Sequence, residues 1–118
     1  MRRAATAARV AADKLGFDIV ALEVGPILSI VDCFDIVSAT NTRQVRTIVD
    51  EVQRALHDDG PAIGVEGLDD ATWVLVDFGD VVLHVFEQDT RAYYDLDRLW
   101  GDAARLDWER EPVAAEGG

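Results

Sequence analysis

The chain lacks nearly everything that marks a secreted, membrane-spanning or phosphate-handling protein. It holds one cysteine, Cys33, in 118 residues, so no intramolecular disulfide can form and a cysteine-rich zinc site is excluded. Basic residues number 11 against 23 acidic ones, a net charge of -12, which leaves no Lys/Arg surface for nucleic-acid phosphate and favours a cationic partner. No apolar run reaches the roughly 18–20 residues of a membrane span, and the opening MRRAATAARVAADKLG has no continuous apolar stretch of the kind a signal peptide needs. The expected setting is a reducing cytoplasm, with no membrane contact. No glycine-rich loop precedes a helix to cradle phosphate.

What is present is a sequence 49% hydrophobic, with its Val, Ile and Leu clustered between polar turns, and that is a folded chain. Its length fits one domain, expected over residues 1–107, with 108–118 as a flexible tail. Residues 3–15 read as an alanine-rich helix ended by Gly16 in a left-handed conformation. DIVALEV (18–24) and FDIVSA (34–39) read as strands separated by Gly25-Pro26. Residues 40–60 place Val45, Ile48, Val49, Val52 and Leu56 on one helical stripe, with Asn41 or Thr42 as the cap and Gln44 in a capping box. A short strand, AIGVE (62–66), precedes a hairpin, and from Thr90 TRAYYDLDRLWG suggests a short helix capped near Asp95 and ended by Gly101. The order α-β-β-α-β-β-β-α predicts an α/β fold: a mixed sheet of about five strands with flanking helices.

The hairpin TWVLVDFGDVVLHVF, Thr72 to Phe86, is the most informative stretch. Glycine first in the two-residue turn Gly79-Asp80 suits a type II′ geometry, and this sets Asp77 opposite Val82, Leu75 opposite His84 and Trp73 opposite Phe86. Alternation then gives a wholly apolar face of Val74, Val76, Phe78, Val81, Leu83 and Val85, which must be core. The other face mixes Trp73, Leu75, Asp77, Val82, His84 and Phe86. Large aromatics beside a few polar groups suit a protein-docking surface, although a terminal helix laid over this face would explain them as well.

Other groupings carry little chemistry. Asp32, Asp35, Glu66, Asp77 and Asp80 lie on or beside strands and in principle suit Mg²⁺, but a chain with 23 acids gathers some by chance. Cys33 and His84 form a conceivable nucleophile and base, yet a lone cysteine is more often inert core. His57 beside Asp58 reads as a solvated helix end, and Arg43 and Gln44 as exposed first-turn residues. The sequence thus gives no catalytic residues, no metal site and no cofactor.

Four stretches, DIVALEV, SIVDCFDIVSATNTRQV, VEGLDDATWVLVDFGDVVLHVF and YYDLDRLWGDA, together resemble in order and spacing the ribosomal silencing factor family RsfS, also called Iojap-like, from Ala4 to Leu106. Ala39 departs from the pattern, standing where relatives are expected to have glycine. The resemblance implies a nucleotidyltransferase-like fold without catalytic equipment. It further implies binding to the large ribosomal subunit through ribosomal protein L-fourteen, steric blocking of small-subunit association under nutrient limitation, and a homodimer when free. It assigns the partner-facing patch to Trp73, Leu75, Asp77, His84, Phe86, Tyr94, Leu99 and Trp100, with Tyr93 beside them. The alternatives from other classes are a metal-dependent nucleotidyltransferase-like enzyme using Asp32, Asp35 and Asp77, and a dimeric adaptor for another basic protein.

Overall fold

The computed structural model describes residues 2–110; Met1, residues 111–118 and the side chains of Asp97 and Leu99 lie outside that description. Six strands form one mixed sheet in the order β3-β4-β5-β2-β1-β6. In sequence they are β1 (Phe17–Glu23), β2 (Cys33–Ala39), β3 (Gly64–Glu66), β4 (Trp73–Asp77), β5 (Val81–Glu87) and β6 (Ala104–Leu106). Helices α1 (Arg2–Asp13), α2 (Gly25–Leu28), α3 (Thr42–Leu56), α4 (Gln88–Tyr94) and α5 (Leu96–Leu99) complete the chain. The sixth strand and the short α2 were not expected from the sequence: Ala-Arg-Leu carries no β-branched signal, and Gly25-Pro26 reads as a link rather than a helical turn.

The central pair is β2 and β5, which run parallel, while β1, β4 and the two edges pair antiparallel. Burial of every residue from Val81 to Phe86 follows from that central place, because a strand flanked by strands and covered on both faces has no wet side. The hairpin register is the one expected, from Asp77 opposite Val82 to Trp73 opposite Phe86. Gly79 takes φ 93° at the turn, and the Phe78 amide donates to the Val81 carbonyl at 2.9 Å.

Helices α1 and α3 cover the face carrying Val74, Val76, Leu83 and Val85. The stripe Val45, Ile48, Val49, Val52 and Leu56 of α3 is fully enclosed there. Its N-terminus is capped by Asn41, whose Oδ1 accepts from the Gln44 amide at 2.9 Å, and Gln44 Oε1 accepts in return from the Thr40 amide at 2.6 Å. The buried stripe of α1 is chiefly alanine, Ala4, Ala5, Ala7, Ala8 and Ala11, all fully buried, with Thr6 buried and Val10 partly buried beside them; so many methyls let the helix axis approach closely. Its C-terminus departs from expectation. Leu15 takes the left-handed φ of 69°, donating to the Ala12 carbonyl while the Gly16 amide reaches Ala11, as in a Schellman motif. Gly16 is needed for space instead: a Cβ there would lie 2.7 Å from Val37 Cγ1.

Candidate functional site

The opposite face of the sheet carries Leu22, Phe34, Ile36, Trp73, His84 and Phe86, and onto it fold Leu96, Trp100 and Ala103 of the closing segment. The short helix expected to be capped near Asp95 is α5, and an unexpected helix, α4, precedes it, with Asp95 at φ 50° between the two. The α4 N-terminus is held by Glu87, whose Oε1 accepts from the Asp89 and Thr90 amides. Arg91 then pins α4 to the sheet, donating to Ser38 Oγ at 2.9 Å and to the Asp18 carbonyl.

An aromatic cluster results. Trp73 stacks on Phe86 with centroids 4.9 Å apart and leans on Tyr94 at 4.9 Å. His84 meets the edge of Phe34 at 4.9 Å, and Phe34 in turn stands perpendicular to Trp100 at 5.2 Å. Such pairs contribute about 0.5–1.5 kcal/mol each beyond the area they bury. Trp73 Nε1 donates to His84 Nδ1 at 3.2 Å, which leaves the imidazole proton on Nε2, a buried donor with no acceptor among the described residues. Burial pushes the His84 pKa down to about 4, so the ring is neutral at pH 7.

The expectation that this face is open requires correction at two residues. Phe86 is fully buried and His84 only 4% exposed, because the α4–α5 segment lies over them; in this conformation neither offers surface to a partner. The other six expected residues divide. Trp73, Leu75 and Asp77 are half-buried. Asp77 Oδ1 accepts from the Gly79 amide at 2.8 Å and so fixes the hairpin turn. Tyr94 is 52% exposed and its neighbour Tyr93 76%. Trp100 is half-buried and packs with the Leu22–Ile36 core. The Leu99 side chain lies outside the described residues. Phe34 and Arg91 shape the site as much as any of these, and sequence reasoning passed over both. The signal for Phe34 was available: it alternates with Cys33 and Asp35 on a strand whose apolar faces are both needed.

The enzyme constellations come apart by strand alternation. Asp35 pairs with Leu83 across β2 and β5 and faces α1, whereas Asp77 pairs with Val82 and faces the aromatic side; one cation cannot bridge them through the sheet. Cys33, opposite Val81, and His84, opposite Ile36, are separated in the same way. The Cys33 thiol is buried and pushed far up by burial and by Asp35, so it is no nucleophile. His57 is exposed beside Asp58, as expected. Asp80 binds Arg3, with Nε 3.1 Å from Oδ2. No group of three or more metal-ligating side chains occurs among the described residues.

The comparisons with known proteins agree with this picture. The family model "Ribosomal silencing factor during starvation", RsfS, matches residues 1–117. The chain is 43% identical over 102 residues to the ribosomal silencing factor RsfS of Bacillus subtilis, covering 86% of each. It is 33% identical over 103 residues to the mouse "Mitochondrial assembly of ribosomal large subunit protein 1", of which it covers 45%. A crystal structure of a Chromobacterium violaceum protein superposes with a TM-score of 0.77 at 36% identity, over 81% of both chains, and one from Bacillus halodurans with a TM-score of 0.74 at 36% identity, over 86% of this chain and 93% of that one. The bacterial relatives carry the names of regulators and not of enzymes. With the family model running almost end to end and the fold shared with solved relatives, this chain belongs to the ribosomal silencing factor family RsfS.

Proposed function

We propose that this chain silences translation by docking on ribosomal protein L-fourteen of the large ribosomal subunit and standing where the small subunit would bind. The observation that carries the reading is the rim formed by Trp73 and Tyr94 with Tyr93 beside it. Exposed Tyr94, with exposed Tyr93 against it, lies on half-buried Trp73, itself stacked on Phe86, the composition of an interface centre. Leu75, Asp77 and Trp100 extend the rim at its half-buried edge, and Leu99 belongs to the same proposed patch. A domain of net charge -12 suits a basic ribosomal protein by complementary potential and is repelled by bare RNA phosphate. The mechanism is steric, with no bond made or broken. In this reading the chain works in the cytoplasm, where ribosomes are, and pairs with a second copy when free. No described helix is long and apolar enough to cross a membrane.

The test is a subunit-joining assay resolved by sedimentation. Wild-type protein is expected to travel with the large subunit and keep the small subunit apart. Trp73→Ala should weaken that binding by about 2 kcal/mol or more, the usual loss at a central aromatic anchor. Tyr94→Ala, at a more exposed position, should weaken it without touching the fold, which circular dichroism checks. Undiminished joining in the presence of the wild-type protein would overturn the proposal, and wild-type behaviour of both variants would remove this face from it.

A further inference from the structure

The most anomalous group in the molecule takes no part in the aromatic site. Asp35 sits in the middle of β2, is fully enclosed, and neither carboxyl oxygen has a hydrogen-bond partner among the described residues. Native structures rarely tolerate this. Ala21 of β1 and Leu83 of β5 flank it directly, and Cys33 and Val37 precede and follow it on the same face. Above it lies α1: Ala4 packs with Cys33, Ala21 and Val81, while Ala7 and Ala11 pack with Val37 and Leu83. Among the described residues, the buried stripe that α1 lays over this face is made chiefly of alanine methyls.

Among the described residues no side chain of opposite charge pairs with it. On α1, Arg3 is turned away to Asp80, Asp59 and the Gly60 carbonyl, and Arg9 reaches the carbonyl of Glu109. The α3 side chains that pack on this face are Val45, Ile48, Val49, Val52 and Leu56. On β1, Glu23 lies opposite Cys33 rather than Asp35, and β5 contributes only Val81, Leu83 and Val85. Cys33, two residues before Asp35 on the same face, is a titratable neighbour, and burial keeps its thiol protonated.

We propose that α1 is a proton-controlled latch: it closes on the sheet only while Asp35 is a neutral acid, and losing that proton lifts the helix so that the carboxylate reaches water. Burial raises the Asp35 pKa well above its ordinary value, whereas in the lifted state the carboxyl titrates near its usual ~3.9. The open form therefore binds fewer protons than the closed one between those two values. Over that window the opening equilibrium rises about tenfold per pH unit. The alanine roof makes α1 the element that gives way. Its buried stripe holds no side chain larger than threonine, so lifting it forfeits less apolar burial than displacing α3 or the strands.

Native-state hydrogen exchange tests this, using protection factors that divide out the intrinsic chemical rate. Between pH 6 and 8 the Ala7, Ala8, Val10 and Ala11 amides of wild-type protein should lose protection as pH rises, by up to about tenfold per pH unit. They should also be at least tenfold less protected than the Ile48, Val49 and Val52 amides of α3. In Asp35→Val, and independently in Asp35→Asn, the α1 slope should vanish. A flat wild-type profile overturns the proposal, as does a slope that survives in both variants. Equal protection of α1 and α3 at every pH also overturns it, since the whole fold and not the α1 joint would then be opening.

Discussion

His84 offers a sharp test of the aromatic site, because its protonation must break what surrounds it. Its folded pKa lies near 4 against an unfolded value of about 6.5, and each pKa unit corresponds to about 1.4 kcal/mol. For a base whose pKa is depressed by folding, the unfolded chain binds the proton first. The stabilising contribution is thus complete above pH 6.5 and drains away as pH falls towards 4. About 2.5 units of separation make the loss ~3 kcal/mol. The wild-type curve alone would hide it: Asp35, shifted the other way, loses stability as pH rises over the same interval, and the two slopes oppose each other. The decisive comparison is between wild type and His84→Phe, unfolded in urea at half-unit steps from pH 4.5 to 8. Every other titrating group is common to both proteins and cancels, as does the fixed cost of losing the 3.2 Å bond from Trp73. The difference should be constant above pH 6.5 and change by about 1.4 kcal/mol per unit below it, always against the wild type as acid is added. A difference that stays flat down to pH 4.5 would refute the burial of a neutral imidazole beneath α4 and α5.

Two further outcomes follow from packing. Phe86→Ala removes a fully buried ring from beneath Trp73 and should cost about 3–5 kcal/mol in denaturant unfolding; a loss below ~1 kcal/mol would mean the ring is free to face a partner after all. Gly67→Ala places a Cβ 2.2 Å from the Trp73 carbonyl oxygen at φ 93°, so backbone must move. That variant should lose at least ~2 kcal/mol, measured by its thermal midpoint, while Gly64→Ala, with open space around it, should stay within ~1 kcal/mol.

The core half of the molecule was legible because its code is local. The α3 stripe, its Asn41 cap and the Gly79 turn each rest on residues within a few positions of one another, and the hairpin register follows from the turn alone. The aromatic half was legible only in composition. Trp73, His84 and Phe86 alternate as half-wet strand residues do, and their cover arrives from residues 88–103, whose apolar content is modest and of which only the helix capped at Asp95 carries a local signal. The choice between docking face and covered core thus had to wait for tertiary structure, which divides it: Phe86 and His84 are enclosed, and Tyr94 remains outside. Asp35 failed for the opposite reason. Polar residues on a strand suggest an exposed face, and nothing short of the β2–β5 pairing shows this one pointing into alanine.

The place of β5 has a consequence for how the chain comes into being. It is among the later strands to be made, yet it sits between β4 and β2 and contributes to both faces of the sheet. The bonds that anchor the first helix reach equally far, with Arg3 held by Asp80 across 77 residues. Until about residue 87 has left the exit tunnel, α1, β1, β2 and α3 have no central strand to close on, so vectorial synthesis cannot lock the early half in advance. Assembly is therefore dominated by long-range pairing late in elongation, a topology that folds slowly for its size. A nascent chain stalled short of β5 should remain protease-sensitive throughout.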